Sequence, residues 1–169
     1  MILALGIGAN TTIFSIIRGV LLRPLGYRDP GRLVQVSGGA TPVRFREMKA
    51  AARSFTGLGA FGMQEDLTLT GPWQPEVLKT VRISADFLGI LGVAPLVGGG
   101  FPENEDSAGG PPSALISAEL WQRRFGGDPH LVGGTMMLSG TPYTIAGVLP
   151  ARFQFPFSGL DVWLTRPAD

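Results

Sequence analysis

The sequence contains no cysteine, and its 169 residues include a single histidine, His130. Without cysteine the chain has no disulfide, no thiol nucleophile and no Cys-ligated zinc or iron–sulfur centre. His130 cannot by itself form a His-rich metal site, and no Gly-x-Ser-x-Gly motif accompanies it as part of a Ser–His–Asp mechanism. The string from Gly127 to His130 is instead typical of a turn. We therefore predict no catalytic, cofactor-binding or metal-binding residue, and we interpret the chain as not an enzyme.

Charged side chains are also few, at 16% of the residues, and the formal net charge is only +1. This balance gives no electrostatic footprint for nucleic acid. No Gly-Lys-Ser or Gly-Lys-Thr occurs, so the phosphate-binding loop of an ATPase is absent. Any ATP hydrolysis linked to this protein must reside on another chain or domain.

The N-terminal string MILALGIGANTTIFSIIRGV contains a single charged residue. A helix that crosses a hydrocarbon core of about 30 Å needs roughly 20 consecutive, mostly apolar residues. Pro24 is expected to end the helix. Ala4 and Gly8 have the spacing that lets a neighbouring membrane helix approach closely, so we assign them as candidate helix-packing residues. We predict a transmembrane helix over residues 1–23.

Two other interpretations of this segment stay open. A signal peptide would need a basic region before the apolar stretch and small residues at a cleavage site, and the string from Arg18 to Arg23 is a poor match. A buried amphipathic helix of a soluble protein would also account for the apolar run.

The rest of the chain mixes helix and strand patterns without the regular βαβ series of a doubly wound sheet, which predicts an α+β fold. The predicted strands are Arg32–Ser37, Glu65–Thr70, Val77–Ile83, Ser113–Ile116, Thr135–Ser139, Pro142–Val148 and Leu160–Thr165. The second and third of these are expected to pair antiparallel across a Gly-Pro turn. Helices are predicted from capping residues and terminal glycines at 41–55, 86–92 and 117–126. In the first helix we expect Phe45, Met48 and Ala52 to face the core.

Five strings follow one another along the chain: ALGIGANTTIFSIIRGVLLRP from Ala4, LGYRDPGRLV from Leu25, SADFLGILGV from Ser84, WQRRFGGD from Trp121 and TPYTIAGVLP from Thr141. Together they resemble the MacB-like periplasmic core domain of ABC-transporter permeases of the MacB/FtsX type. The first string looks like the outer part of the first transmembrane helix of these permeases, and the others are mostly turns and core positions. One departure is Gly100, where the family commonly has arginine.

The resemblance implies a transmembrane helix, residues 1–23, that starts in the cytoplasm and leads into a two-lobed mixed α/β extracytoplasmic domain. Residues 31–83 would form an incomplete first lobe, and residues 84–169 a second lobe inserted into it. The implied location is the inner membrane, with the bulk of the chain periplasmic. The positive-inside rule, applied to the arginines after the apolar run, would give the opposite orientation. We adopt the orientation that the resemblance implies.

The resemblance also implies a function, the coupling of cytoplasmic ATP hydrolysis to substrate export or mechanotransmission across the membrane. The implied partners are the membrane, an ATPase subunit or domain in trans, the remaining permease helices and a second copy in a homodimer, with no cofactor and no nucleic acid. Such coupling requires a stiff connection between helix and domain. The candidate coupling residues are Leu22, Arg23, Pro24, Leu25 and Tyr27. The alternative that stays open is a membrane-anchored or secreted binding domain unrelated to transport.

Overall fold

The computed structural model describes residues 27, 29–36, 38–72, 74–102 and 112–165. The chain divides into two units, Met1–Gln35 and Val36–Asp169. The predicted transmembrane helix, with Ala4 and Gly8, lies outside the described residues. Among the residues that are described, no helix is both long enough and apolar enough to cross a bilayer.

The described part of the first unit contains one turn of 3-10 helix, Pro30–Arg32. The strand predicted from Arg32 to Ser37 is not observed, because residues 33–36 belong to no strand. Val34 and Val36 are 73% and 61% exposed. An alternating sequence becomes a strand only where a neighbouring strand supplies hydrogen-bond partners, and the described part of the chain supplies none to this segment.

The described residues of the second unit form three α-helices and seven strands. The helices are α1 (Pro42–Ala51), α2 (Phe87–Leu91) and α3 (Ala118–Phe125). The strands are β1 (Phe61–Thr70), β2 (Glu76–Ile83), β3 (Val97–Gly98), β4 (Ser113–Ser117), β5 (Thr135–Leu138), β6 (Thr141–Leu149) and β7 (Val162–Thr165). This mixture agrees with the predicted α+β class.

The seven described strands form one mixed sheet in the order β3-β6-β4-β7-β2-β1-β5. β5 pairs with β1 on one side and with β6 on the other, so every strand except β3 belongs to a closed circuit. The β2–β7 and β4–β6 pairs are parallel, and the others are antiparallel. The antiparallel pairing predicted for the second and third strands of the sequence is confirmed in β1 and β2, with Leu67 opposite Leu78.

The centre of the sheet is buried on both faces, since every residue of β4 and of β7 is buried. One face carries a cluster of apolar side chains that includes Leu78, Ile116 and Leu164 together with Leu120 of α3. Successive residues of a strand point to opposite faces, so Trp163, next to Leu164, points the other way. Both faces of the central strands therefore need a covering layer.

The local turn and cap predictions of the second unit are confirmed. α2 ends at Gly92, whose φ of 69° is the left-handed conformation that glycine adopts without strain. Ser117 caps α3, because its side chain accepts a hydrogen bond from the backbone N–H of Leu120 at 3.0 Å, and Gly126 ends that helix. Gly140, with a φ of 83°, lies in the turn between β5 and β6.

The predicted lobe boundary between residues 83 and 84 stays a prediction, and it falls directly after a strand of the sheet. β2 ends at Ile83, and it lies inside the sheet between β1 and β7. Its residues Thr80 to Ile83 pair with Val162 to Thr165 of β7. The strands on either side of the predicted boundary thus belong to one continuous sheet, so the sheet itself is not divided at that point.

Candidate functional site

Only one of the five predicted coupling residues lies in the described part of the chain. Tyr27 is half-buried, and burial raises the pKa of its hydroxyl above the usual value, so the group is neutral at physiological pH. Leu22, Arg23, Pro24 and Leu25 lie outside the described residues. The coupling role of this segment therefore stays a prediction.

Helix α1 contains no buried residue, although its sequence offers several apolar side chains. Its first turn is capped by Thr41, whose Oγ1 accepts a hydrogen bond from a backbone N–H of that turn at 3.3 Å. The expected core face is covered only in part, because Phe45 and Ala52 are half-buried and Met48 is 39% exposed. Val43 is exposed as well. Burial of apolar side chains therefore contributes little to holding α1 in place.

A set of polar contacts connects α1 to the elements that follow it. Lys49 Nζ of α1 lies 2.7 Å from Asp86 Oδ2, next to the start of α2. Ser84 Oγ donates a hydrogen bond to Asp86 Oδ1 at 2.9 Å and accepts one from the backbone N–H of Ala60 at 3.0 Å. The Ser84 N–H donates to the carbonyl oxygen of Ala60 at 2.9 Å. We refer to Lys49, Ala60, Ser84 and Asp86 as the α1 joint.

The segment between α1 and β1 passes close to α2 at two glycines. A Cβ atom on Gly57 would lie 3.0 Å from Ile90 Cγ1, and one on Gly59 would lie 3.1 Å from Phe87 Cδ2. Such distances are shorter than ordinary van der Waals contacts, so glycine is what permits this approach. The connection from α1 to the sheet therefore lies directly against α2.

A cluster of aromatic rings connects α2 to the sheet. Phe61, the first residue of β1, makes edge-to-face contacts with Phe87, Phe155 and Phe157 at centroid distances of 5.9, 5.8 and 6.1 Å. Phe87 also stacks on Phe155 at 5.6 Å. Trp163 Nε1 donates a hydrogen bond to the carbonyl oxygen of Phe155 at 2.9 Å, which connects the cluster to β7. α2 is thus packed against the sheet through aromatic contacts of favourable geometry.

A second charged cluster lies at the other end of β2. Arg123 Nη2 of α3 lies 2.7 Å from Glu76 Oε1 and 3.1 Å from Asp161 Oδ1, and Arg124 Nε lies 2.5 Å from Glu76 Oε2. Two effects on the pKa of Arg123 oppose each other: burial lowers it, and the hydrogen bonds to Asp161 and Glu76 raise it. The hydrogen bonds have the larger combined effect, so the pKa lies above its usual value. Arg124 also donates to the carbonyl oxygen of Gln74. These contacts fasten α3 to the beginnings of β2 and β7.

The described residues contain no group of three His, Asp or Glu side chains arranged to hold a metal ion. His130 lies in a turn, as predicted, within the 3-10 helix Pro129–Leu131. Its backbone N–H donates to Asp128 Oδ1 at 2.8 Å. The polar contacts of the two charged clusters join one element of the fold to another.

A sequence model of one family, the MacB-like periplasmic core domain, matches residues 1–168. The chain belongs to this family. No curated protein has a sequence that matches this MacB-like chain. The family assignment confirms the resemblance drawn from the five sequence strings.

Three solved structures are similar to this chain. The chain is similar to the periplasmic region of MacB from Actinobacillus actinomycetemcomitans, with a TM-score of 0.57 and 11% identity over 82% of this chain. It is also similar to the extracellular domain of the transporter YknZ from Gram-positive bacteria, with a TM-score of 0.47 and 16% identity over 65% of this chain. A permease domain from Porphyromonas gingivalis gives a TM-score of 0.48 and 21% identity over 80% of this chain.

This MacB-like chain is shorter than the structures that it resembles. It spans 58% of the MacB region and 54% of each of the other two structures. At 11% identity, the likeness to MacB concerns the fold alone.

The charged cluster at α3 provides a first stability prediction for the MacB-like domain. Replacing Glu76 by glutamine removes the charge that faces both Arg123 and Arg124, so we expect the free energy of unfolding to fall by about 1 kcal/mol. Urea denaturation followed by circular dichroism measures this loss, which should shrink in high salt. The exposed Asp66→Asn on β1 is the control. Equal losses for both variants would contradict the prediction.

Proposed function

We propose that this chain is an extracytoplasmic domain of an ABC-transporter permease that transmits movement during export and catalyses no reaction itself. The observation that carries this proposal is the match of residues 1–168 to the MacB-like family. The fold shared with the periplasmic region of MacB supports it. Because the chain has no phosphate-binding loop, the ATPase that drives the movement is a subunit or domain supplied in trans.

The proposal includes the location of the chain and its partners. Residues 1–23 span the inner membrane with their N-terminus in the cytoplasm, and the remainder lies on the periplasmic side. The partners are the remaining permease helices and a second copy of the chain. The apolar N-terminal string supports the membrane assignment, since it reaches the length that a bilayer requires.

The two-lobed organisation is also part of the proposal, with its boundary moved toward the N-terminus. The sheet begins at Phe61 and includes β1 and β2, and this continuity supports a proposed second lobe that starts at β1. The first lobe then contains the segment from residue 31 to the end of α1. Its exposed apolar residues, Val34, Val36 and Val43, support a lobe that contributes only part of its own core.

Thiol labelling tests the predicted orientation. Because the chain has no cysteine, Glu119→Cys places its only thiol at an exposed position of α3. We expect a membrane-impermeant maleimide added to spheroplasts to label this variant without lysis, while the cysteine-free parent stays unlabelled. Labelling that requires lysis would show that α3 lies in the cytoplasm and would refute the proposal.

Membrane fractionation separates the permease from the alternative of a secreted binding domain. The full chain is expected in the membrane fraction, to be released by detergent and not by high salt. A chain that lacks residues 1–23 is the control and is expected in the supernatant. If the full chain is released without detergent, the membrane assignment is wrong.

A further inference from the structure

The position of helix α1 relative to the sheet needs a structural cause, because α1 contains no buried residue. Among the described residues, the ion pair between Lys49 and Asp86 is the one hydrogen bond or ion pair that connects the side chains of α1 to the part of the chain that follows it. Both side chains are partly exposed, at 46% and 34%.

Asp86, in contrast, is fixed to the sheet from several directions. Its Oδ1 accepts a hydrogen bond from Ser84, which is buried and which follows β2 directly. Ser84 in turn exchanges hydrogen bonds with Ala60, the residue before β1. Phe87, the next residue after Asp86, is buried in the aromatic cluster. The Asp86 carboxylate is therefore held in a fixed position relative to β2 and to the start of β1.

We infer that Asp86 is a positioning residue that attaches α1 to the sheet through Lys49, and that the α1 joint is the releasable link between the two proposed lobes. A partly exposed ion pair holds weakly and is screened by salt, so the link opens at small cost. The contacts of Ser84 and Ala60 stay in place when it opens. Without this contact the ten-residue helix α1 loses tertiary support and its backbone hydrogen bonds open more often, while the sheet keeps its structure.

The neighbouring geometry supports this arrangement. Gly57 and Gly59 lie against α2, so the connection between α1 and β1 runs over the same short helix that Asp86 precedes. Neither glycine has a side chain that interlocks with Ile90 or Phe87. Movement of α1 is therefore guided along α2 and is limited by the Lys49–Asp86 pair.

Hydrogen exchange on the full chain, read by mass spectrometry for peptides that cover α1, tests this inference. Lys49→Met removes the charge and keeps the aliphatic length, and Asp86→Asn keeps an acceptor for Ser84. We expect either variant to raise the exchange rate of the α1 amides about two- to five-fold, the range for a partly exposed pair. The double variant should show no further increase, because both changes remove the same contact.

Helix α1 also provides a control variant. Glu47→Gln changes an exposed charge of α1 that faces no partner among the described residues, and it should leave the exchange rate unchanged. If the effects of Lys49→Met and Asp86→Asn multiply in the double variant, Asp86 acts independently of Lys49 and the inference fails. It also fails if neither variant changes α1, or if the wild-type helix already exchanges like an unstructured peptide.

This inference rests on the proposed function for its purpose, and the two can fail separately. Hydrogen exchange reads the attachment of α1, whereas thiol labelling at position 119 reads the side of the membrane. If the double variant shows that Lys49 and Asp86 act together, but position 119 is labelled only after lysis, the α1 joint stands and the transporter role is refuted. If position 119 is labelled without lysis, but Lys49 and Asp86 act independently, the proposed function stands and the α1 joint is refuted.

Discussion

Replacement of Trp163 by alanine is expected to lower the free energy of unfolding by about 3–5 kcal/mol. Trp163 is fully buried in β7, at the centre of the sheet. Its ring packs on Phe153 at 5.3 Å, and its Nε1 donates to the carbonyl oxygen of Phe155. The alanine variant leaves a cavity and also breaks the contact that connects the aromatic cluster to β7. Urea denaturation followed by circular dichroism measures the loss.

Trp163→Phe is the matched variant, because it keeps an aromatic ring in the site. It loses the hydrogen bond and only part of the side-chain volume. We expect it to lose about 1–2 kcal/mol. Should Trp163→Ala not fold, the phenylalanine variant still gives a measurable value. A loss below about 1 kcal/mol for alanine would mean that Trp163 is not part of the core, since exposed positions typically change stability by less than that.

The helix ends of the sheet domain were predictable from the sequence, because each depends on residues that are close along the chain. Gly92 and Gly126 end helices because each adopts a left-handed conformation that other residues avoid. Ser117 begins α3 because its side chain satisfies an otherwise unpaired backbone N–H. In each case the cause and the result lie within a few residues, so a local pattern is sufficient.

The order of the strands was not predictable, because it depends on contacts between distant parts of the chain. The backbone N–H of Lys79 donates to Asp161, which lies 82 residues later in the sequence. No pattern near Ile83 indicates that β2 will pair with β7, so the sequence alone did not show that β2 and β7 belong to one sheet. Closure of the circuit through β5 depends in the same way on the pairing of Leu69 with Leu138.

The α1 joint was missed for a related reason. A helical stripe in the sequence shows which side chains share a face, and does not show whether another element covers that face. The sequence predicted the helix and its Thr41 cap correctly, yet the core covers Phe45 only in part and leaves Met48 exposed. A surface ion pair between Lys49 and Asp86 leaves no pattern in either segment. Only the structure could bring these residues together.

A second large effect is expected at Gly98, the last residue of β3. Gly98 has a φ of 77°, and a Cβ atom there would lie closer than 3.0 Å to Ala146 O, to Gly147 Cα and to Val132 Cγ1. Two of these three atoms belong to the backbone of β6, which cannot move aside without disturbing its pairing with β4.

Gly98→Ala is therefore expected to lower the free energy of unfolding by about 2–3 kcal/mol, from the strain of the positive φ and from the contact with β6. The neighbouring Gly99→Ala is the control, because a Cβ atom there meets nothing within 4 Å, and its effect should stay within about 0.5 kcal/mol. Hydrogen exchange gives the local reading: the N–H of Leu96, bound to Val148 O at 2.7 Å, should lose protection in Gly98→Ala alone. Equal stability of the two variants would show that β3 does not pack against β6, because a methyl group would then be tolerated at position 98 as well as at position 99.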